Sequence, residues 1–311
     1  MAKKRTPKEE KKKREKKKVE DEIEEIEEDL SDCGLPDETL EKIKGFRLLD
    51  DLYMREVLKA NRLGVQDIIR VILEREDLVV RKMRTQEVIT STRGRSVQLD
   101  VLAEDSKGRF YNIEIQRDKR GATPKRARFH LAAIDSRNLK KGDDFEELAE
   151  TWVIFITEDG ALTGGRPYVT ARRFVVETQE PFNDEQFIRF VNASYVSDDP
   201  FGWLMADLRE TDPRKMHFDS LRKRSIRCKR TGKGIMKMGG VIEEIFQKGK
   251  EKGHAEGREE ERVRTIGVLL SVHSPDVLLN DPQFSPLGYT QAEIDAAIAL
   301  GGAQTPIVPA Q

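Results

Sequence analysis

Cysteine is nearly absent from this 311-residue chain, which has only Cys33 and Cys228. Two thiols make neither a disulfide framework nor a zinc cluster, and they fit a reducing cytoplasm. Histidine is almost as scarce. His130, His217, His254 and His273 are scattered without metal-ligand spacing, so neither a histidine zinc site nor a Ser-His-Asp triad has support. No apolar run is long enough to cross a membrane, and the N-terminus has no apolar core of a signal peptide, so no membrane partner is expected. A dominant charge of one sign is lacking too, since 56 Lys+Arg against 57 Asp+Glu leave a net −1.

Charge is nevertheless abundant, 36% of residues, and it comes in blocks. The opening "MAKKRTPKEEKKKREKKKVE" is basic and "EDEIEEIEEDL" overlaps its end with acid. Such blocks are usually disordered or form a lone solvated helix; Ile23 and Ile26 could begin one, but no heptad continues. The expected organisation is a charged tail over 1–45, a core over 46–200, a basic helical extension over 201–245, and a charged linker with a small helix over 246–311.

Within the core, residues 35–77 read as helix, with Val65, Ile68, Ile69 and Ile72 on one face and Gly64 dividing two helices. "LVVRKMRTQEVITS" reads as a strand. Pro124 opens a helix with lysines in its last turn. "TWVIFIT" is a continuous apolar run, as in a strand buried on both faces. Two more strand-like pieces, "RPYVTARRFVVET" and "QFIRFVNASYV", follow. The order is helix, three strands, helix, strand, and the natural packing is an α/β fold, a mixed sheet with a helix on each side.

The most informative stretch is "QLDVLAEDSKGRFYNIEIQ", Gln98 to Gln116. Leu99, Val101 and Ala103 alternate with Gln98 and Asp100; Tyr111, Ile113 and Ile115 alternate with Asn112, Glu114 and Gln116. Period two marks half-buried strands. Between them Asp105-Ser106-Lys107-Gly108 has the composition of a three-residue hairpin loop with a bulge glycine. A hairpin symmetric about Lys107 sets Asp100 opposite Glu114 and Gln98 opposite Gln116. Like charges facing across a ladder repel. Either the face is solvated and a basic side chain neutralises it, or a hard divalent cation sits there.

These residues and their order resemble the PD-(D/E)XK nuclease superfamily, specifically its branch of nuclease-family transposases, also called recombination-promoting nucleases. The resemblance rests on "RSVQLDVLAEDSKGRFYNIEIQRDKRGATPKRARFHLAAID", "LAETWVIFITEDG" and "FVNASYVSDDPFGWLMADLRETDPRKM", and covers about residues 46 to 235. It implies a restriction-endonuclease-like core with a helical C-terminal extension, and a Mg²⁺- or Mn²⁺-dependent DNA endonuclease linked to transposition or recombination. Asp100 and Glu114 match the metal-binding acids. Gln116 stands where the wider superfamily usually has lysine; glutamine can orient a water or a phosphate oxygen but supplies no positive charge. A further acid from the preceding helices is implied, with Asp51 and Glu74 as candidates. Because of Gln116, a degenerate member that binds nucleic acid or a protein partner without cutting stays open beside the nuclease.

A nuclease needs positive charge for the DNA backbone. Lys125, Arg126 and Arg128 open the helix after the motif, and Arg222, Lys223, Arg224 and Arg227 head a second cluster that continues to Lys229 and Arg230. The first could equally be an ordinary exposed helix face; the second leaves few neighbouring acids, though solubility alone would also account for it. DNA is the expected partner, in the cytoplasm and at the nucleoid when bound, and a homodimer is left open. Glycines 249, 253 and 257, set among charged residues, suggest a weakly helical linker. Thr290 and Glu293 have capping-box spacing before an apolar helical face.

Overall fold

The computed structural model describes residues 34–90, 95–116, 121–160, 162–270 and 273–301. The basic and acidic blocks, Ile23, Ile26 and Cys33 lie outside the described residues. The chain divides into two compact units, residues 1–241 and 242–311. No described helix is long and apolar enough to cross a membrane.

The first unit begins with three helices, α1 (Asp37–Gly45), α2 (Asp51–Leu58) and α3 (Arg62–Leu73). Val65, Ile68, Ile69 and Ile72 on α3 are fully buried, as their helical spacing predicts. Gly64 divides nothing. The break falls at Ala60, which is left-handed at φ 54°, and Gly64 sits in the first turn of α3, where its N–H bonds the Asn61 side chain. A Cβ there would meet the Asn61 amide at 2.5 Å and Leu221 at 2.9 Å, so the glycine serves a close approach.

A six-stranded mixed sheet follows, in the order β1-β2-β3-β4-β6-β5. Strands β1 (Val80–Ile89), β2 (Val97–Asp105) and β3 (Phe110–Gln116) form an antiparallel meander. Helix α4 (Pro124–Asn138) then crosses to β4 (Thr151–Thr157), parallel to β3. Thr123 caps α4 by accepting from Arg126 N–H. Every residue of β4 is buried, as its apolar run predicts. The strands β5 (Tyr168–Ala171) and β6 (Gln186–Asn192) complete the sheet. One sheet face packs on α4 through Leu102, Ala127, Leu131, Ile134 and Phe155. The architecture is the mixed α/β sheet with helix, three strands, helix, strand, consistent with a PD-(D/E)XK nuclease fold.

The β2–β3 register is the one symmetric about Lys107: Val101 pairs with Ile113 and Ala103 with Tyr111. Gly108 takes φ 79°, which suits the glycine. At this turn Asp105 has no exposed side-chain surface. It accepts from the N–H groups of Lys107 at 2.8 Å and Arg109 at 3.0 Å, from Arg109 Nε at 2.7 Å and from Tyr111 OH at 3.0 Å. Despite its burial, these donors hold the carboxyl below its ordinary value.

After the sheet come α5 (Pro200–Arg209) and α6 (Asp219–Arg230), the latter packed on α2 and α3. Helix α7 (Gly232–Leu270) is continuous through Gly249, Gly253 and Gly257, where the sequence suggested only a weakly helical linker. Apolar residues near its two ends, Ile235 and Met238, then Val263 and Ile266, are buried, which offsets the roughly 1 kcal/mol that each interior glycine costs. In the second unit, α8 (Pro275–Asn280) and α9 (Gln291–Gly301) build a small core of Val263, Ile266, Leu278, Phe284, Ile294 and Ala297. The Thr290–Glu293 capping box forms, with Thr290 N–H to Glu293 at 2.8 Å and Glu293 N–H to Thr290 Oγ1 at 3.3 Å.

Candidate active site

At the open end of the β2–β3 hairpin the paired ladder stops at Val101 and Ile113. Beyond it carboxylates take the place of backbone acceptors. Asp100 N–H donates to Glu114 Oε1 at 3.1 Å, and Ile115 N–H donates to Asp100 Oδ2 at 3.3 Å. The two acids are therefore locked to one another's strand. Glu114 is fully buried and Asp100 is 8% exposed.

Buried carboxylates with few donors resist ionisation. Burial first, and the charge of Asp100 second, push Glu114 up to about 8. Burial and the charge of Asp51 raise Asp100. The compensating positive charge is partial: Arg126 on α4 reaches Glu114 Oε2 at 3.3 Å. Its other donors go to the Gly121 carbonyl at 3.0 Å and to His130 Nε2 at 3.4 Å. His130 is buried beside Asn112, Nδ1 to Nδ2 3.1 Å, and 3.6 Å from Glu114. Burial and the neighbouring Arg126 push this imidazole down to about 4, so it is neutral.

Two open cavities meet here. One, of about 390 Å³, is lined by Asp51, Arg55, Gln98, Asp100, Gln116 and Arg126 among others. The second, of about 670 Å³, shares Gln98 and Arg126 with it and adds Arg95, Lys125 and Phe129. Gln116 is packed tightly on the loop before α4: a Cβ on Gly121 would lie 2.2 Å from its Oε1.

Of the residues singled out in the sequence, Asp51, Asp100, Gln116 and Arg126 line one cavity, with Glu114 directly behind Asp100. Asp51 is held by Arg55 through contacts of 2.6 and 2.7 Å. Glu74 is elsewhere; it ends α3 and accepts from Tyr168 OH at 2.8 Å. Lys125 lines the second cavity, while Arg128 is exposed and lines neither. Arg222, Lys223, Arg224 and Arg227 lie on α6 and line neither cavity. Arg222 and Arg224 bond the carbonyls of Met216 and Lys59. His130 and Asn112 were not singled out. Their signal was available: His130 follows Arg126 by four residues on a helix, and Asn112 precedes Glu114 by two on a strand.

Among the described residues no three His, Cys, Asp or Glu side chains converge as a metal-binding group. The donor set is two hard carboxylate oxygens groups, with Asp51 near enough to perturb Asp100. That fits a cation held by one or two carboxylates plus waters, as Mg²⁺ commonly is.

Neither the comparison with curated proteins nor that with solved structures finds a match. A family profile described as PD-(D/E)XK nuclease family transposase matches residues 65–198. That span runs from α3 through the whole sheet and includes Asp100, Glu114, Gln116, Arg126 and His130. Over residues 65–198 the chain is similar to the PD-(D/E)XK nuclease family transposases.

Proposed function

We propose that this chain is a divalent-metal-dependent DNA endonuclease that hydrolyses phosphodiester bonds during transposition or recombination of mobile elements. The observation that carries the reading is the pair of buried carboxylates, Asp100 and Glu114, whose own strands cannot neutralise them and which adjoin an open cavity. Asp100 and Glu114 would hold Mg²⁺ or Mn²⁺, and Asp51 adds negative charge from α2. A bound cation of this kind stabilises charge on the scissile phosphate and makes water nucleophilic at neutral pH.

The chain's residues divide the remaining work. Arg126, 38% exposed at its side chain, is accessible to a phosphate oxygen, and its bonds to Gly121 and His130 fix its direction. Neutral His130 is buried and serves as support rather than as the base. Gln116 offers an amide that can orient a water or a phosphate oxygen. The enzyme acts where DNA is accessible, in the cytoplasm and at the nucleoid.

A second reading is favoured by one contact. Arg126 already pairs with Glu114, as a basic side chain would in a protein that binds DNA without cutting. Cleavage of supercoiled plasmid in Mg²⁺, Mn²⁺ or EDTA separates the two. The endonuclease nicks plasmid only with metal, and Asp100→Asn abolishes nicking while the far-ultraviolet spectrum is unchanged. Metal-independent, salt-sensitive DNA binding with no cleavage by the wild type would establish the binder instead.

A further inference from the structure

Next to the carboxylates lies the larger cavity, about 670 Å³, within the size range of small-molecule sites. Its lining includes Arg95, Lys125 and Arg126 and, among the described residues, no carboxylate. Lys125, Arg126 and Phe129 project from one side of α4, because Phe129 follows them by four and three residues. Phe129 is 43% exposed as a residue. It is absent from the hydrophobic cluster that joins α4 to the sheet, and no ring contact among the described residues involves it.

An open aromatic ring in a cleft walled by cations suits an unstacked nucleotide. The phosphate is drawn to Arg126 and Lys125, and the base has a π-face to lay on the ring. Paired DNA keeps its bases stacked and presents no such face without unpairing. From this arrangement we infer that the Phe129 cleft binds one unstacked nucleotide of single-stranded DNA beside the Asp100–Glu114 site. The inference rests on the nuclease reading for its substrate class and sharpens it: the preferred substrate is single-stranded or locally unpaired DNA.

The test is binding of the full-length protein, in EDTA, to a fluorescent single strand of about 12 nucleotides and to its duplex form. The wild type should prefer the single strand. Phe129→Ala should weaken that binding about 5- to 100-fold and leave duplex binding unchanged, while Phe129→Trp should retain it. Equal loss on both forms, or no loss, overturns the inference. Plasmid nicking by wild type together with a neutral Phe129→Ala sinks the cleft alone. A wild type that neither binds nor cuts DNA ends both readings.

Discussion

The two ends of one hairpin carry buried acids with opposite fates. At the turn, Asp105 is surrounded by donors and held below its ordinary value. At the open end, Asp100 and Glu114 receive one backbone N–H each, side-chain bonds from Gln86 at 3.4 Å and from Asn112, and a 3.3 Å contact from Arg126, and both are still raised. Hairpin, sheet and burial are shared, so burial alone does not mark a functional acid. The balance of donors against charge does. Asp105 is complete within the fold, whereas the Asp100–Glu114 pair is short of positive charge, the condition in which a site can take a cation or a substrate.

Breaking the complete end should have the largest effect. Asp105→Ala leaves Arg109, 16% exposed at its side chain, without its buried partner and should cost about 3–5 kcal/mol in urea unfolding. A cost below about 1 kcal/mol would erase the contrast between the two ends.

The incomplete end should show itself through pH. Glu114 sits at about 8 in the folded chain against 4.5 ordinarily. Between those values the folded state holds a proton that the unfolded state has released. This contribution is fully present below pH 4.5 and is lost as pH rises through 8. Stability in EDTA should fall across that window by on the order of 1–3 kcal/mol. Glu114→Gln should flatten the fall, and Mn²⁺ should flatten it in the wild type alone. A wild type whose urea midpoint is level between pH 5 and pH 8 contradicts the charge deficit.

The smallest effect belongs to the exposed neighbour of the same strands. Lys82 pairs with Glu104 at 3.0 Å, but its side chain is 73% exposed. Lys82→Ala should shift stability by less than about 0.5 kcal/mol. A larger loss would mean that surface pairing, and not the buried ends, secures the hairpin.

Much of the hairpin was legible because its signals are local. Alternation gave the strands, and Asp105 with Gly108 gave the turn that sets the register. The opening of the ladder after Val101 was not legible, since it depends on where two carboxylates find donors. Nor was the clamp on Asp105, because the sequence showed it only as a turn residue. Gly64 misled because glycine permits both a break and a close approach, and only the packed Leu221 tells them apart. His130 was dismissed as scattered among four histidines, yet the fold sets it against Arg126 and Asn112.

Lys229, on α6, carries a consequence for how small this protein can be made. Its ammonium is 3% exposed as a residue and donates to the carbonyls of Lys44 at 2.9 Å, Thr211 at 2.6 Å and Phe46. One side chain thereby ties together backbone before residue 65 and beyond residue 198. Trimming the chain to its family signature would remove α2 and α6 and bare the face of α3 that they cover. The heritable signature is thus shorter than the physical object that must fold, and the difference is bridged by a lysine that touches no substrate.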